Sequence, residues 1–229
     1  MSGHAKHEPR TVWGRFINEL EETAIAVLLG LMTLITFINV VLRYGFNTSL
    51  IWGLEVTLIL FAWLVLFGIS YGFKVTAHLG VDAVTNLFPP AGQRVLALVA
   101  AALCLVYAML LLKGAWDYWA PFAALQPTEG RWFPLGFTEG VRDRAFYVTD
   151  QVPMLGIFRW LEDAINYGEE YEKLPRVVPY TILPVACTLI FYRIAEATWE
   201  LFRGRRASLI VSHEAEDAVD EVAAQNREA

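Results

Sequence analysis

The sequence predicts an all-α membrane protein with four transmembrane helices, further interfacial amphipathic helices, and both termini in the cytoplasm. Of its 229 residues, 56% are hydrophobic and only 18% are charged, and the mean hydropathy is +0.42. Four apolar runs approach the roughly 20 residues that a helix needs to cross a hydrocarbon core. This composition argues against a disordered, collagenous or ordinary soluble chain.

The first apolar run covers residues 23–42 and contains no charged residue. Before it, residues 11–24 place apolar side chains at helical spacing with polar ones between, which suits a helix lying in the membrane interface. A plain extension of the first span is the alternative. The run exceeds the apolar core of about 7–15 residues in a signal peptide, and no small-x-small cleavage site follows it. We therefore expect a permanent span.

Three further runs complete the set. Residues 50–73 contain one charge, Glu55, and residues 95–112 contain none. The fourth run, residues 177–192, carries two prolines, which predict a kink because neighbouring helices compensate the missing backbone donors. We expect this helix to continue beyond Arg193 and leave the membrane.

Lys and Arg in the short flanks are retained on the cytoplasmic side, which sets the orientation. They predict a cytoplasmic segment at 1–22, a cytoplasmic interfacial helix at 74–90 and a long periplasmic loop at 113–176. The fourth span and its cytoplasmic extension then occupy 177–202, and an acidic cytoplasmic tail follows at 203–229.

Several classes of function find no support. The charge balance is 18 Lys and Arg against 24 Asp and Glu, and the basic residues are scattered, so nucleic acid is not an expected partner. Cys104 and Cys187 lie inside apolar runs without a C-x-x-C pair, which indicates core residues and no metal or redox cofactor. No phosphate-binding, zinc-protease or serine-hydrolase motif occurs, so we expect neither ATP use nor enzymatic activity.

Glu55 is the candidate for a functional group inside a span, where ionisable residues are costly. Arg43 ends the first span, and the short connection brings it towards Glu55. An Arg–carboxylate pair lowers the cost of both charges, which favours a structural or subunit-contact role. A proton- or ion-coupling carboxylate is the alternative, although such sites are expected nearer the midplane.

Other polar and small residues indicate contacts. Asn39 in the first run is typical of an interhelical hydrogen bond, and Gly68 and Gly72 form a G-x-x-x-G motif that allows another helix to approach closely. Lys74, His78 and Asp82 follow at i, i+4 and i+8 and share one face if helical. They lack the further ligands of a metal site, so we interpret them as a charged stripe near the headgroups.

Residues 39–84 (NVVLRYGFNTSLIWGLEVTLILFAWLVLFGISYGFKVTAHLGVDAV) resemble the signature region of the small membrane subunit of tripartite ATP-independent periplasmic (TRAP) transporters. Residues 174–219 also resemble members associated with C4-dicarboxylate uptake. The matching positions in the signature region are Arg43, Tyr44, Trp52, Glu55, Trp63, Gly68, Lys74, His78 and Asp82.

The resemblance implies a noncatalytic, four-helix subunit of the bacterial inner membrane. Its partners would be membrane lipid, a large membrane subunit that holds the substrate and sodium sites, and, transiently, a periplasmic substrate-binding protein. It would anchor the stationary scaffold during ion-driven uptake. The loop at 113–176 is longer than in compact members, and our hypothesis is that it adds a surface near the large subunit's outer face or the docking binding protein.

Two alternatives come from other classes. In the first, the chain is a self-sufficient homo-oligomeric transporter in which Glu55 binds a proton. In the second, it is a membrane enzyme or electron carrier, against which the lack of paired cysteines and intramembrane histidines counts.

Overall fold

The computed structural model describes residues 12–74, 88–128, 130–133 and 143–204, with side chains from residue 19 onward in the first helix and up to residue 72 in the second. The helices are α1 (Val12–Gly45), α2 (Gly53–Lys74), α3 (Pro90–Trp119), α4 (Trp160–Ile165), α5 (Val177–Tyr180) and α6 (Ile182–Phe202). Two short strands, β1 (Val148–Pro153) and β2 (Lys173–Pro175), pair antiparallel.

Four helical stretches are long and apolar enough to cross a membrane, which confirms the predicted fold class. They are Glu19–Gly45, Gly53–Gly72, Ala91–Ala123 and Val177–Phe202. The small β1–β2 sheet is the only departure from an all-α fold among the described residues.

α1 is one continuous helix from Val12 to Gly45, because no proline interrupts this stretch. The segment preceding the first span is thus an extension of it in backbone conformation, and its position at the membrane surface stays a prediction. After α1 the chain turns at Asn47, which has a positive φ of 54°. Asn39 stabilises the turn by accepting the N–H of Leu50 through its Oδ1 at 3.0 Å.

The third and fourth spans differ in detail from the sequence-based boundaries. α3 continues through Lys113 to Trp119, where Lys113 and Asp117 form an i, i+4 ion pair that supports the extra turn. In the fourth span, Thr181 separates α5 from α6 but keeps helical angles. Its N–H still bonds the carbonyl of Val177, so the helical path continues through the two prolines.

The four spans pack side by side in an arrangement that we call the plate. α6 packs between α3 and α2, and α2 packs against α1. Leu28, Phe67 and Ala186 form the core where α1, α2 and α6 meet, while Ala108 and Ile194 belong to the core between α3 and α6. α1 also reaches α6 in the first of these cores, while most of the apolar surface of α1, α2 and α3 stays exposed.

The connection between α3 and α5 is folded, and we call its described residues, 120–128, 130–133 and 143–176, the cap. Its apolar core contains Phe122, Leu161 and Tyr171, and Val177 of α5 packs into it. The Tyr171 hydroxyl donates to the carbonyl of Ala145 at 2.7 Å. The cap therefore has its own packed centre at the end of the plate that the sequence predicts to be periplasmic.

Candidate functional site

Glu55 joins the second span to the cap. It lies in the first turn of α2, and its two carboxylate oxygens accept the N–H groups of Asp150, at 2.9 Å, and Gln151, at 2.6 Å. These N–H groups lie in the irregular middle of β1, which pairs with β2 only near its ends. The carboxylate thus satisfies two donors that the small sheet leaves open.

The sequence left open whether Glu55 pairs with Arg43 or with the large subunit. Within the part of the chain that the structure describes, no ion pair joins the two residues, and Arg43 is exposed at the end of α1. The reason is that the folded cap presents two backbone donors to Glu55. A carboxylate that accepts two N–H bonds gains charge-assisted hydrogen bonds without a neighbouring cation.

Two cations of the cap complete the surroundings of β1. The ammonium group of Lys173 donates a hydrogen bond to the carbonyl of Asp150. Arg176 donates from Nε to the carbonyl of Val148 at 2.8 Å, and its guanidinium lies 3.3 Å from the Asp150 carboxylate. Lys173 and Arg176 therefore hold the backbone of β1 in place, and Arg176 also supplies a cation for the Asp150 carboxylate.

Two tryptophans fasten the other spans to α5. Trp63 of α2 donates its indole N–H to the carbonyl of Pro179 at 2.9 Å. Trp119, the last residue of α3, donates to the carbonyl of Val177 and to the hydroxyl of Thr181, both at 3.2 Å. Contacts from both neighbouring spans thus converge on the short helix that follows the cap.

A second polar centre, which we call the clasp, lies towards the opposite end of the plate. Glu21 of α1 is fully buried. Its Oε1 accepts the hydroxyl of Ser70 in α2 at 2.6 Å, and its Oε2 lies 2.7 Å from the Arg193 guanidinium in α6. Arg193 also contacts Glu196 at 3.4 Å. The clasp ties three spans together.

Sequence reasoning missed the clasp. It treated Arg193 as a topological charge and did not single out Glu21. A signal was present, since Arg193 interrupts a helix that stays apolar on both sides, and such a residue needs a counter-charge. The sequence did not identify which acidic residue supplies it.

Asp117 forms a third polar group, at the junction of α3 and the cap. Its carboxylate lies 2.7 Å from the Lys113 ammonium. It also accepts the backbone N–H of Thr128 at 2.6 Å and the hydroxyl of Thr128 at 2.8 Å. This carboxylate therefore stabilises the start of the cap.

The remaining predicted site residues do not meet at one place. Tyr44 is 83% exposed, and Trp52 is half-buried beside the start of α2. Gly68 is exposed, and a Cβ added there would meet nothing within 4 Å, whereas Gly72 is half-buried.

The charged stripe predicted after the second span begins at the end of α2. Lys74 ends α2, while His78 and Asp82 lie outside the described residues. Among the residues that the structure describes, no cluster of three or more His, Cys, Asp or Glu could hold a metal ion.

Comparison with known proteins agrees with the signature found in the sequence. Residues 32–136 match the family described as "Tripartite ATP-independent periplasmic transporters, DctQ component". A C4-dicarboxylate TRAP transporter small permease protein DctQ from Vibrio cholerae is 40% identical over 216 residues, covering 94% of this chain and 85% of the relative.

A protein of the same name from Pseudomonas aeruginosa is 30% identical over 240 residues, covering 93% of this chain and 95% of the relative. Both similarities extend over all four spans and the cap, which exceeds the reach of the signature region. The chain is therefore a multi-pass protein of the inner membrane and belongs to the DctQ family, the small permease subunits of tripartite ATP-independent periplasmic transporters.

Proposed function

We propose that this chain is the noncatalytic small subunit of a TRAP transporter for C4-dicarboxylates. It scaffolds a large membrane subunit, which receives substrate from a periplasmic binding protein and uses an ion gradient, expected to be sodium, for uptake. The names of the relatives from Vibrio cholerae and Pseudomonas aeruginosa support the substrate class. The geometry supports the scaffolding role.

The plate is the observation that carries the proposal. In its most apolar stretch, α6 has 44% of its residues buried, whereas the values for α1, α2 and α3 are 6%, 17% and 11%. A self-sufficient transporter has to enclose a path for its substrate, and such paths lie between packed helices. Three spans that leave most of their apolar surface exposed suit a subunit that lies against a larger membrane protein.

The ionisable groups of the spans also support a scaffold. Glu21, Glu55 and Asp117 each accept at least two hydrogen bonds from groups within the chain. A coupling carboxylate has to exchange partners during transport, and intramembrane groups that do so line a cavity. Here the three carboxylates hold helices and cap in place, so their role is structural.

The cap has a proposed role on the periplasmic side. Glu55 bonds it to α2, while Trp63 of α2 and Trp119 of α3 bond the residues that follow it, so it forms a surface with a defined position. Arg43 and Tyr44 are exposed at the same end of the plate, next to the start of α2. Together they offer a contact surface for the outer face of the large subunit or for the docking binding protein.

The experiment is reconstitution of purified components in proteoliposomes with an inward sodium gradient and labelled succinate. We expect uptake when this chain, its large subunit and the binding protein are all present, and none from this chain alone. Liposomes without the gradient serve as the control. Equal uptake without this chain would contradict the scaffolding role, and uptake by this chain alone would support a self-sufficient transporter.

A further inference from the structure

Tyr107 places a phenol hydroxyl in the middle of the third span. The uncharged run of α3 covers residues 95–112. A helical side chain leans towards the helix N-terminus and covers the turn before its own Cα. The hydroxyl of Tyr107 therefore belongs near residues 103 and 104, which are the centre of the run.

The side chain of Tyr107 is 63% exposed. Within the part of the chain that the structure describes, no residue forms a hydrogen bond with its hydroxyl. Tyrosine is enriched at the membrane–water interfaces, where its hydroxyl reaches water or headgroups. At the centre of a span neither is within reach, and an unpaired hydroxyl in hydrocarbon is strongly unfavourable.

The direction of Tyr107 follows from its neighbours on α3. Ala101, Ala108 and Ala115 are buried, at a spacing of two turns, and mark the edge that packs on α6. Tyr107 and Met109 flank Ala108 and point about 200° apart around the helix. Met109 is exposed as well, so the two side chains project from opposite faces of the plate at nearly the same depth.

The face that carries Tyr107 also allows a helix to come close. Leu103, Tyr107 and Gly114 lie along one strip of α3, and all three are exposed. A Cβ added at Gly114 would meet nothing within 4 Å. A small residue beside a hydrogen-bonding one is the pattern that membrane helices use to associate.

We infer that a transmembrane helix of the large subunit packs on this face and accepts a hydrogen bond from the Tyr107 hydroxyl. Lipid chains have no acceptor at this depth. Transport subunits do, because their broken helices place carbonyl oxygens near the midplane. A second copy of this chain is a less suitable partner, because polar side chains of its α1 are already engaged. The Thr33 hydroxyl donates to a backbone carbonyl of its own helix, and Asn39 accepts a backbone N–H of the turn after α1. This inference rests on the proposed function.

Photo-crosslinking in membranes tests the face directly. We would place p-benzoylphenylalanine at position 107 or, as the matched control, at position 109, and express each variant with its large subunit. We expect a crosslink to the large subunit, identified by mass spectrometry, from position 107 and at most a tenth as much from position 109. A crosslink from 107 to a second copy, or equal yields at both positions, would overturn the inference.

Tyr107→Phe tests the hydroxyl alone. We expect the affinity for the large subunit to fall about three- to tenfold, as for loss of one interhelical hydrogen bond, with the thermal midpoint of the isolated chain unchanged. Unchanged affinity would overturn the proposed bond. If the wild-type chain did not co-purify with the large subunit at all, the proposed function itself would fail, whereas co-purification without a crosslink at 107 would refute only this face.

Discussion

Glu55 and Glu21 are two carboxylates near opposite ends of the plate, and the protein satisfies them in different ways. Glu55 is half-buried and accepts two backbone N–H groups from β1. Glu21 is fully buried and accepts a hydroxyl hydrogen from Ser70 and a guanidinium hydrogen from Arg193. Their contacts to α2, at Glu55 itself and at Ser70, lie about 22 Å apart along that helix.

The two carboxylates therefore have different roles: Glu55 fixes the position of the cap, whereas Glu21 stabilises the packing of the plate. Backbone N–H groups are neutral, so losing Glu55 leaves polar groups that water can reach. Glu21 and Arg193 instead depend on each other, because removing Arg193 leaves Glu21 buried without a cation and removing Glu21 leaves Arg193 only the longer contact to Glu196. We therefore expect disruption of the clasp to affect the whole plate and disruption at Glu55 to affect the cap.

The largest effect is expected for Glu21→Ala. It leaves the Arg193 guanidinium buried without its main counter-charge, and breaking such a pair costs about 3–5 kcal/mol. The free energy of unfolding, measured by denaturant titration in detergent micelles, should fall by that amount. A loss below about 1 kcal/mol would show that Arg193 does not depend on Glu21.

A double variant controls for the loss of Glu21 itself. Glu21→Leu with Arg193→Met replaces the ion pair by apolar side chains, and such replacements are often neutral or stabilising. We expect it to recover most of the stability that Glu21→Ala loses. Ser70 should be left unchanged in both proteins, since its hydroxyl can turn to a backbone carbonyl of its own helix.

Glu55→Ala comes next and should act locally. It removes two charge-assisted hydrogen bonds, which contribute about 1.5–3 kcal/mol each when fully buried, and less in this half-exposed setting, so we expect about 2 kcal/mol in all. Amide hydrogen exchange at Asp150 and Gln151 should accelerate about tenfold or more, while exchange in α6 stays unchanged. Glu170→Ala, an exposed cap residue, is the matched control for loss of one negative charge. Faster exchange in α6 as well would remove the distinction between the two carboxylates.

The spans could be predicted from the sequence because the signal is local. An uncharged run of sufficient length, such as residues 95–112, specifies a transmembrane helix whatever surrounds it. The order α1, α2, α6, α3 across the plate could not be predicted in this way. It depends on which apolar stripes meet, and several orders bury similar surfaces.

The polar contacts divide in the same way, into pairs close in the sequence, which could be predicted, and pairs far apart in it, which could not. Lys113 and Asp117 are one helical turn apart, so their pair could have been read from the sequence. Glu21 and Arg193 are 172 positions apart, and Glu55 lies 95 positions from its nearer partner. Sequence proximity suggested Arg43 as one possible partner of Glu55, whereas its hydrogen-bond partners in the structure belong to a loop whose fold the pattern did not specify.

A smaller effect, at the end of the plate that bears the cap, is expected for Trp63→Phe. The variant loses one neutral hydrogen bond, to the carbonyl of Pro179, which is worth about 1 kcal/mol. The thermal midpoint should fall by a few degrees. Trp132→Phe, at an exposed cap residue, should leave it unchanged. A loss of stability as large as that expected for Glu21→Ala would mean that the tryptophan contact, and not the clasp, holds the plate together.

The smallest effect is expected between the two ends of α2, at Gly68. Because an added Cβ meets nothing within 4 Å, Gly68→Ala should change the free energy of unfolding of the isolated chain by no more than about 1 kcal/mol, in the stabilising direction that helix propensity favours. Gly53→Ala is the contrast, since its Cβ would lie 3.1 Å from that of Leu50. This substitution should cost about 1 kcal/mol or more.

If Gly68 instead serves the large subunit, Gly68→Leu will reduce co-purification with that subunit and leave the isolated chain as stable as before. Destabilisation of the isolated chain by Gly68→Ala would mean that the glycine serves packing inside the plate.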